Sequence, residues 1–244
     1  MALILLTNDD GIEAEGLQCL EDSLQGLADI VVVAPDRERS AVSHGLTVRS
    51  PLEVKCIRPN RFMINGTPAD CIIYSLRYIT VPPPDLVISG INHGANLGDD
   101  IMYSGTVAAA REAARYGIAA LAVSQAYDDK PIRFHEGAGF LRKLVREMLE
   151  QESNGGICLN INLPVGAIRG VKVTRQGCSS HFVHFNALDR EESLRLLADQ
   201  AEGQSTLGIP FDYRAVRDHY ISITPLQRDQ TDYVTAKSLI RQFA

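Results

Sequence analysis

Short apolar runs alternate with amphipathic segments along the first two-thirds of the chain. Residues 3–6 form an apolar run typical of a buried strand. Leucines recur at positions 17, 20, 24 and 27, a spacing that predicts a helix over residues 16–27. Residues 30–34 are continuously apolar, as in a strand that is covered on both faces. The three segments together predict a strand–helix–strand unit of the usual length, about 30 residues.

The same alternation continues to residue 164. The start of the next helix is marked by Thr67 as N-cap, Pro68 at the first helical position and the acidic Asp70. Alanine-rich residues 105–116 predict another helix, which Gly117 ends. Further strands are predicted at 52–57, 62–64, 85–89, 121–124 and 157–162, with a long helix whose apolar face runs from Phe140 to Leu149. This order of elements predicts an α/β fold with a mainly parallel sheet.

The pattern changes after Pro164. Apolar and polar residues alternate around positions 171–173 and 221–223, and a helix-like segment covers residues 235–243. The stretch between them is rich in charge and has no clear period. We therefore expect two parts within one domain: a core of residues 1–164, and an antiparallel C-terminal arm of residues 165–244 built from a β-hairpin and a helix. We expect the arm to serve assembly rather than chemistry.

The composition is that of an ordinary globular protein and excludes several function classes. The chain has 244 residues and a net charge of −6, and it contains no block of like charges, so a nucleic-acid polymer is not expected as a partner. Its five cysteines are scattered without a C-x-x-C pair, which argues against disulfides and zinc and favours a reducing cytoplasm. The N-terminal apolar run is too short for a signal peptide or a membrane span.

Polar clusters follow three successive core strands. They lie at residues 8–11, 35–40 and 89–98, and the carboxyl ends of parallel strands meet at one edge of a sheet. Two adjacent carboxylates repel each other unless a cation lies between them. The oxygen donors that this edge offers to Mg²⁺ or Mn²⁺ are Asp9, Asp10, Ser40 and Asn92. The alternative is an Asx-type turn with solvated carboxylates.

A second feature suits a phosphate group. Ser104, Gly105 and Thr106 directly precede the alanine-rich helix, and free N–H groups and hydroxyls at a helix N-terminus bind phosphate. The alternative is simple N-capping. The Gly- and Asn-rich stretch of residues 89–98 permits close approach of a ligand, although it also fits a flexible loop. Weaker candidates near the site are Arg37, Arg39, His44 and His93. The chain has no P-loop, dinucleotide fingerprint or G-x-S-x-G elbow.

Long motifs in this order resemble the SurE family of survival proteins, which are metal-dependent 5′-nucleotidases. The resemblance rests on NDDG at 8–11, VVAPDRERS at 32–40, GTPADC at 66–71, SGIN-x-G-x-NLGDD at 89–100, YSGTVAAA at 103–110, NINLP at 160–164 and YISITPL at 220–226. It implies a Rossmann-like three-layer αβα fold, and one divalent cation per subunit on Asp9, Asp10, Ser40 and Asn92. It also implies phosphate contacts at Asn96 and at Ser104, Gly105 and Thr106. Family members form dimers and tetramers through C-terminal segments, so a homodimer is expected here, with a tetramer as the alternative.

The resulting hypothesis is a phosphomonoesterase that acts on nucleoside 5′-monophosphates, with 3′-nucleotides and short polyphosphate as further candidate substrates. The metal would polarise the phosphoryl group and activate a water molecule. Alternatively, Asp9 or Asp10 would orient that water or attack phosphorus directly. A dehalogenase-type phosphatase is disfavoured, because its D-x-D motif is absent at residues 9–11. A nucleotide-sensing module without turnover stays open as the non-enzymatic alternative.

Overall fold

The computed structural model of the chain describes residues 2–128, 131–151, 155–178 and 208–243. The described strands are β1 (Leu3–Thr7), β2 (Asp29–Pro35), β3 (Val54–Arg58), β4 (Arg61–Ile64), β5 (Leu86–His93), β6 (Ala119–Gln125), β7 (Cys158–Leu163), β8 (Gly170–Val173) and β9 (Tyr220–Pro225). The described helices are α1 (Glu15–Leu24), α2 (Pro68–Tyr74), α3 (Gly105–Arg115), α4 (Phe134–Leu149), α5 (Asp212–Arg217) and α6 (Tyr233–Phe243). A π-helical turn (Ser75–Ile79) follows α2, and a 3₁₀ turn (Gly98–Met102) precedes α3.

The strands form one sheet in the order β3-β4-β2-β1-β5-β6-β7-β9-β8. β1 pairs in parallel with β2 on one side and with β5 on the other, and the parallel pairing continues through β6 to β7. The chain therefore leaves β1 in one direction and later returns to its opposite side. Such a switch point opens a crevice at the carboxyl edge of the sheet, where ligands of α/β proteins bind.

Alternate residues of each central strand face opposite layers. Ile4 and Leu6 belong to a core that includes α1 and α4, whereas Leu5 belongs to the core formed with α2 and α3. The side chains of all three are fully buried. A sheet that is covered on both faces explains why its central strands are continuously apolar. The structure thus confirms the predicted α/β fold with helices on both faces of a mainly parallel sheet.

Several element boundaries differ from the sequence prediction: α1, for example, ends at Leu24 and not at Leu27, and two other differences are larger. α4 begins at Phe134, before the apolar face that revealed it. β5 does not end at Ser89 but continues to His93, with a register shift between Ser89 and Asn92. Glycine and asparagine in residues 90–94 hid the strand, because both residue types are depleted in strands. Asn92 consequently lies on a strand end and not in a loop.

The C-terminal segment contains the expected antiparallel pairing but is not separate from the sheet. β9 is antiparallel to β7, and β8 pairs in parallel with β9 at the sheet edge. Both strands therefore extend the central sheet, and because β8 runs parallel to β9 the two do not form the expected β-hairpin. Most of the charge-rich stretch expected between them, residues 179–207, lies outside the described residues. Within the described parts of the chain, no helix is long and apolar enough to cross a bilayer.

Candidate active site

The turn after β1 is fixed by an asparagine and not by the two aspartates. The Asn8 side chain donates to the Gly11 carbonyl at 2.8 Å and accepts the Gly11 N–H at 3.2 Å. The Asx-type turn considered from the sequence is therefore present, but Asn8 forms it. Its presence leaves the carboxylates of Asp9 and Asp10 free of any role in closing the turn.

Asp9 is a buried carboxylate at the N-terminus of α3. Its side chain accepts the backbone N–H of Thr106 at 3.0 Å and also the Thr106 hydroxyl. Only 5% of the residue is exposed. Burial, reinforced by the charge of Asp10, raises the pKa of Asp9 to about 6, although the Thr106 hydrogen bonds act in the opposite direction. A solvated surface carboxylate, the alternative considered from the sequence, is thus wrong for Asp9.

The close contact between Asp9 and α3 depends on glycine at position 105. A Cβ atom at Gly105 would lie 2.9 Å from both Cβ and Oδ2 of Asp9. Ser104 caps the helix by accepting the Val107 N–H at 3.0 Å. The structure therefore uses Ser104 as an N-cap and directs both donors of Thr106 to Asp9. The predicted phosphate segment and the predicted metal ligand are in direct contact.

Asp10 connects β1 to β5. Its carboxylate accepts the backbone N–H of His93 at 3.1 Å, and burial raises its pKa. Asn92 precedes that residue, and its side-chain amide donates to the Gly94 carbonyl at 2.8 Å. Its amide oxygen, the predicted ligand atom, accepts no hydrogen bond from the described residues. The structure thus brings three of the four predicted metal ligands to adjacent strand ends.

A glycine shapes β5 just before Asn92. At Gly90 the backbone has φ +143°, and a Cβ atom there would lie 2.3 Å from the Val123 carbonyl oxygen on β6. Only glycine fits such a close approach. The register shift that follows re-aims the strand end, as bulges beside active sites commonly do. Gly90 therefore helps to set the direction of Asn92.

Ser40, the fourth predicted ligand, lies on the loop after β2. The neighbouring Arg39 donates its backbone N–H to the Asp9 carbonyl at 2.7 Å, so the loop lies against the carboxylate pair. The Ser40 hydroxyl itself donates to Glu38 at 2.6 Å and is exposed. In this arrangement the hydroxyl is engaged with Glu38, and ligation by its oxygen remains a prediction.

Two of the weaker candidates, Arg39 and His44, form ion-pair contacts with acidic side chains. Arg39 pairs with Asp36 at 2.8 Å. His44 contacts Glu112 on α3 at 2.7 Å. Burial opposes ionisation of Glu112, but the hydrogen bonds from His44 and Arg115 together hold its pKa below the usual range. The contact between His44 and Glu112 thus attaches the loop after β2 to α3.

Asn96 is held by buried amides that the sequence analysis did not single out. The side chain of Asn162 accepts the Asn96 N–H at 2.8 Å and donates to the Asn96 carbonyl at 3.0 Å. Asn160 donates to the same carbonyl at 2.8 Å, and the Asn96 side chain donates to Ser124 at 2.7 Å. Asn160 and Asn162 lie on β7 and are fully buried. We call this arrangement the amide clamp.

Asp212, at the start of α5, was also missed. It is fully buried, and its carboxylate accepts the N–H groups of Gly98 at 2.9 Å and of Gly177 at 3.0 Å. Burial raises its pKa. The C-terminal segment thereby holds the loop that follows Asn96. The polar NINLP motif was a signal for the amide clamp, whereas no local signal marked Asp212.

Comparison with known proteins decides the family. The family model described as Survival protein SurE matches residues 4–182. This chain belongs to the SurE family. The 5′-nucleotidase SurE of Pelobacter propionicus is 43% identical over 242 residues, with 96% of each chain covered. That of Syntrophotalea carbinolica is 41% identical over 241 residues, covering 98% of this chain and 96% of that protein.

A solved SurE structure agrees with this fold over nearly the whole chain. The crystal structure of the SurE protein from Aquifex aeolicus has a TM-score of 0.82 and 35% sequence identity, and the match covers 99% of this chain and 100% of that one. The similarity extends beyond the parallel core. The C-terminal strands at the sheet edge are therefore part of the SurE-like fold.

Proposed function

We propose that this chain is a metal-dependent phosphomonoesterase that hydrolyses nucleoside 5′-monophosphates to nucleoside and phosphate. One observation carries the proposal: two adjacent carboxylates, Asp9 and Asp10, lie at the sheet's switch point against the N-terminus of a helix. Such an edge is where an α/β fold binds an anionic ligand. The relatives named 5′-nucleotidase SurE support the same substrate class.

The donor set suits a hard divalent cation. Two acidic side chains lie side by side, and the charge of Asp10 adds to the burial that raises the pKa of Asp9. No group of three or more His, Cys, Asp or Glu side chains in the described ranges is arranged to hold a metal. A cation at this edge would therefore depend on two carboxylates supplemented by neutral oxygens. The oxygen atoms of Asn92 and Ser40 have the right chemistry for that role.

When bound, Mg²⁺ or Mn²⁺ would polarise the phosphoryl group and lower the pKa of a water molecule. The chain's own contribution is orientation. Thr106 holds Asp9, His93 holds Asp10, and the amide clamp holds Asn96 beside the expected position of the phosphate. Side chains that are held in place before the reaction need not reorganise as charge develops in the transition state. Direct attack by water forms no covalent enzyme intermediate. Trapping of a phosphoaspartyl enzyme would therefore contradict water attack and indicate that Asp9 or Asp10 attacks phosphorus.

The first experiment is phosphate release from a panel of nucleoside 5′-monophosphates with Mg²⁺, Mn²⁺ or EDTA. The panel also contains 3′-nucleotides and short polyphosphate. We expect metal-dependent release from the 5′-nucleotides, and a rate that is at least about 100-fold lower in Asp10→Asn. Asp22→Asn, an exposed aspartate on α1, is the matched control and should retain full activity. Nucleotide binding without phosphate release in the presence of any metal would favour the nucleotide-sensing module over an enzyme.

Assembly is a separate part of the proposal: residues 165–244 join two copies of the chain into a homodimer, with a tetramer as the alternative. The supporting observation is α6, whose apolar side chains are exposed, including Val234 at 82% and Phe243 at 80%. Exposed apolar surface of this kind commonly marks an interface. Removal of residues 232–244 leaves β8 and β9 in the sheet and should give a monomer in size-exclusion chromatography with light scattering. An unchanged oligomer would exclude α6 from the interface.

A further inference from the structure

We infer that a cavity beside the carboxylate pair binds the nucleoside part of the substrate, with the base lying against Tyr127. The inference rests on the proposed nucleotidase function and assigns a place to the part of the substrate that is not phosphate. The Tyr127 cavity has a volume of about 560 Å³. Its wall includes Gln125, Tyr127, Ile132, Arg133, Glu136 and Val165.

The position of the cavity is the first argument. Gln125 ends β6 and is paired with His93 at the end of β5, and the backbone N–H of His93 binds the Asp10 carboxylate. The rings of His93 and Tyr127 lie 5.0 Å apart. His93 thus contacts the Asp10 carboxylate through its backbone N–H and the tyrosine of the cavity wall through its ring. A nucleotide whose phosphate lies at the carboxylates would have its nucleoside beside this strand end.

The chemistry of the wall is the second argument. Tyr127 is 59% exposed, so part of its ring is open to a planar ligand even though His93 lies against it. An aromatic ring accepts any base by stacking, because every base has a π-face. Ile132 and Val165 add apolar surface, and the volume falls within the usual range for small-ligand pockets.

Polar groups are placed where they could orient a sugar or a base edge. Arg133 and Glu136 form an exposed ion pair at 3.4 Å on the first turn of α4. The Gln125 side chain is committed instead to the floor of the cavity. It donates to the carbonyls of Leu163 at 3.2 Å and Pro164 at 2.9 Å, which fixes the end of β6 against the end of β7. The cavity therefore has a rigid floor, an aromatic wall and a charged rim.

The test compares a nucleotide with a phosphomonoester that lacks a base. Values of kcat/KM for adenosine 5′-monophosphate and for ribose 5-phosphate are measured with the full-length protein and Mn²⁺. The ratio is the value for adenosine 5′-monophosphate divided by the value for ribose 5-phosphate. Loss of base stacking on one aromatic ring should lower this ratio at least about fivefold in Tyr127→Ala. Tyr127→Phe retains the ring and should retain the ratio. Tyr116→Ala removes a similarly exposed tyrosine at the end of α3, where it lies at the opposite edge of the sheet, and should leave the ratio unchanged.

A second variant closes the cavity instead of removing its aromatic wall. Val165→Trp places a large side chain in the cavity from the side of β7, and we expect it to lower the same ratio. An unchanged ratio in both Tyr127→Ala and Val165→Trp, with release intact, would overturn the assignment of the base and leave the nucleotidase function standing.

Binding of adenosine alone separates the two proposals if no substrate is hydrolysed. Calorimetric titration needs neither the phosphate nor the metal. Adenosine binding that is lost in Tyr127→Ala would support the cavity even though the nucleotidase function had failed. Absence of adenosine binding to the unaltered protein, together with absence of release, would overturn both.

Discussion

The amide clamp predicts that Asn162→Ala impairs catalysis from outside the crevice. Asn162 satisfies both main-chain groups of Asn96, at 2.8 Å and 3.0 Å, and is itself fully buried. Truncation leaves the Asn96 N–H without its acceptor. The Asn96 carbonyl keeps its bond from Asn160 at 2.8 Å. The damage to hydrogen bonding is therefore concentrated on one buried donor.

The magnitude follows from these two unequal losses. A buried unsatisfied donor costs about 1–3 kcal/mol, and the second hydrogen bond contributes about 0.5–1.5 kcal/mol. We expect Asn162→Ala to lower the free energy of unfolding by about 3 kcal/mol. For a chain of this size, that corresponds to a Tm lower by about 6–12 °C. Release of the Asn96 main chain should also displace the predicted phosphate contact, and a shift of about 1 Å costs on the order of 100-fold in rate.

The assay combines thermal unfolding with steady-state kinetics and inhibition by inorganic phosphate. We expect KM for the nucleotide and the inhibition constant for phosphate to rise together, because both report the same contact. The matched control is Thr174→Val. Its hydroxyl hydrogen-bonds to Ser222 and to Thr224, each at 2.7 Å, and it does not touch Asn96. This control should lose stability and keep both constants.

The reasoning would be refuted by an Asn162→Ala protein that unfolds at a lower temperature but has unchanged kinetics and phosphate inhibition. In that event the clamp would stabilise the fold without positioning Asn96. Equal kinetic losses in Asn162→Ala and Thr174→Val would also refute it, because they would trace the effect to general loosening of the sheet edge.

Three further perturbations have defined outcomes. Gly90→Ala should lower Tm, because its Cβ would lie 2.3 Å from the Val123 carbonyl oxygen. The clash should displace the end of β5 that carries Asn92, and so weaken Mn²⁺ binding in calorimetry. Unchanged Mn²⁺ affinity would show that Gly90 does not set the direction of Asn92. Arg61→Met should lower the free energy of unfolding in urea by about 3 kcal/mol, because it removes the buried partner of Glu21. Arg58 also pairs with Glu21 but is half exposed, so Arg58→Met should lower it by less than about 1 kcal/mol. Equal losses would contradict the role of burial. The pKa of Glu112 is lowered in the folded protein, so its ionised carboxylate stabilises the fold above the ordinary pKa of 4.5, and this stabilisation is lost as the pH falls through the folded pKa. The difference in Tm between the unaltered protein and Glu112→Gln should therefore shrink from pH 6 to pH 3. A constant difference would refute the linkage.

Local chemistry made much of the fold predictable. Thr67 accepts the Asp70 N–H at 3.1 Å and Asp70 accepts the Thr67 N–H at 2.9 Å, so the predicted capping signal is a complete capping box. The apolar strands were equally clear, because burial on both faces leaves little choice of residue. These signals depend on neighbours a few positions apart, and they can be read without knowing the tertiary structure.

The carboxyl edge could be predicted for a different reason. In a parallel sheet the strand ends converge whatever the conformation of the loops, so polar residues after β1, β2 and β5 had to meet. The prediction placed Asp9, Asp10 and Asn92 correctly at that edge. It did not foresee that Thr106 would contact Asp9, because the approach of α3 depends on packing.

The supporting contacts lay beyond sequence reasoning because their partners are distant along the chain. Asn162 reaches Asn96 across 66 residues, and Asp212 reaches Gly98 across 114. On a core strand an inward asparagine resembles a misplaced polar residue until its partner is known. Yet a fully buried polar side chain nearly always has at least one hydrogen-bond partner. The asparagines of β7 therefore carried information that the apolar pattern could not: each implied a main-chain segment packed against the sheet, and that segment proves to be the one bearing the predicted phosphate contact.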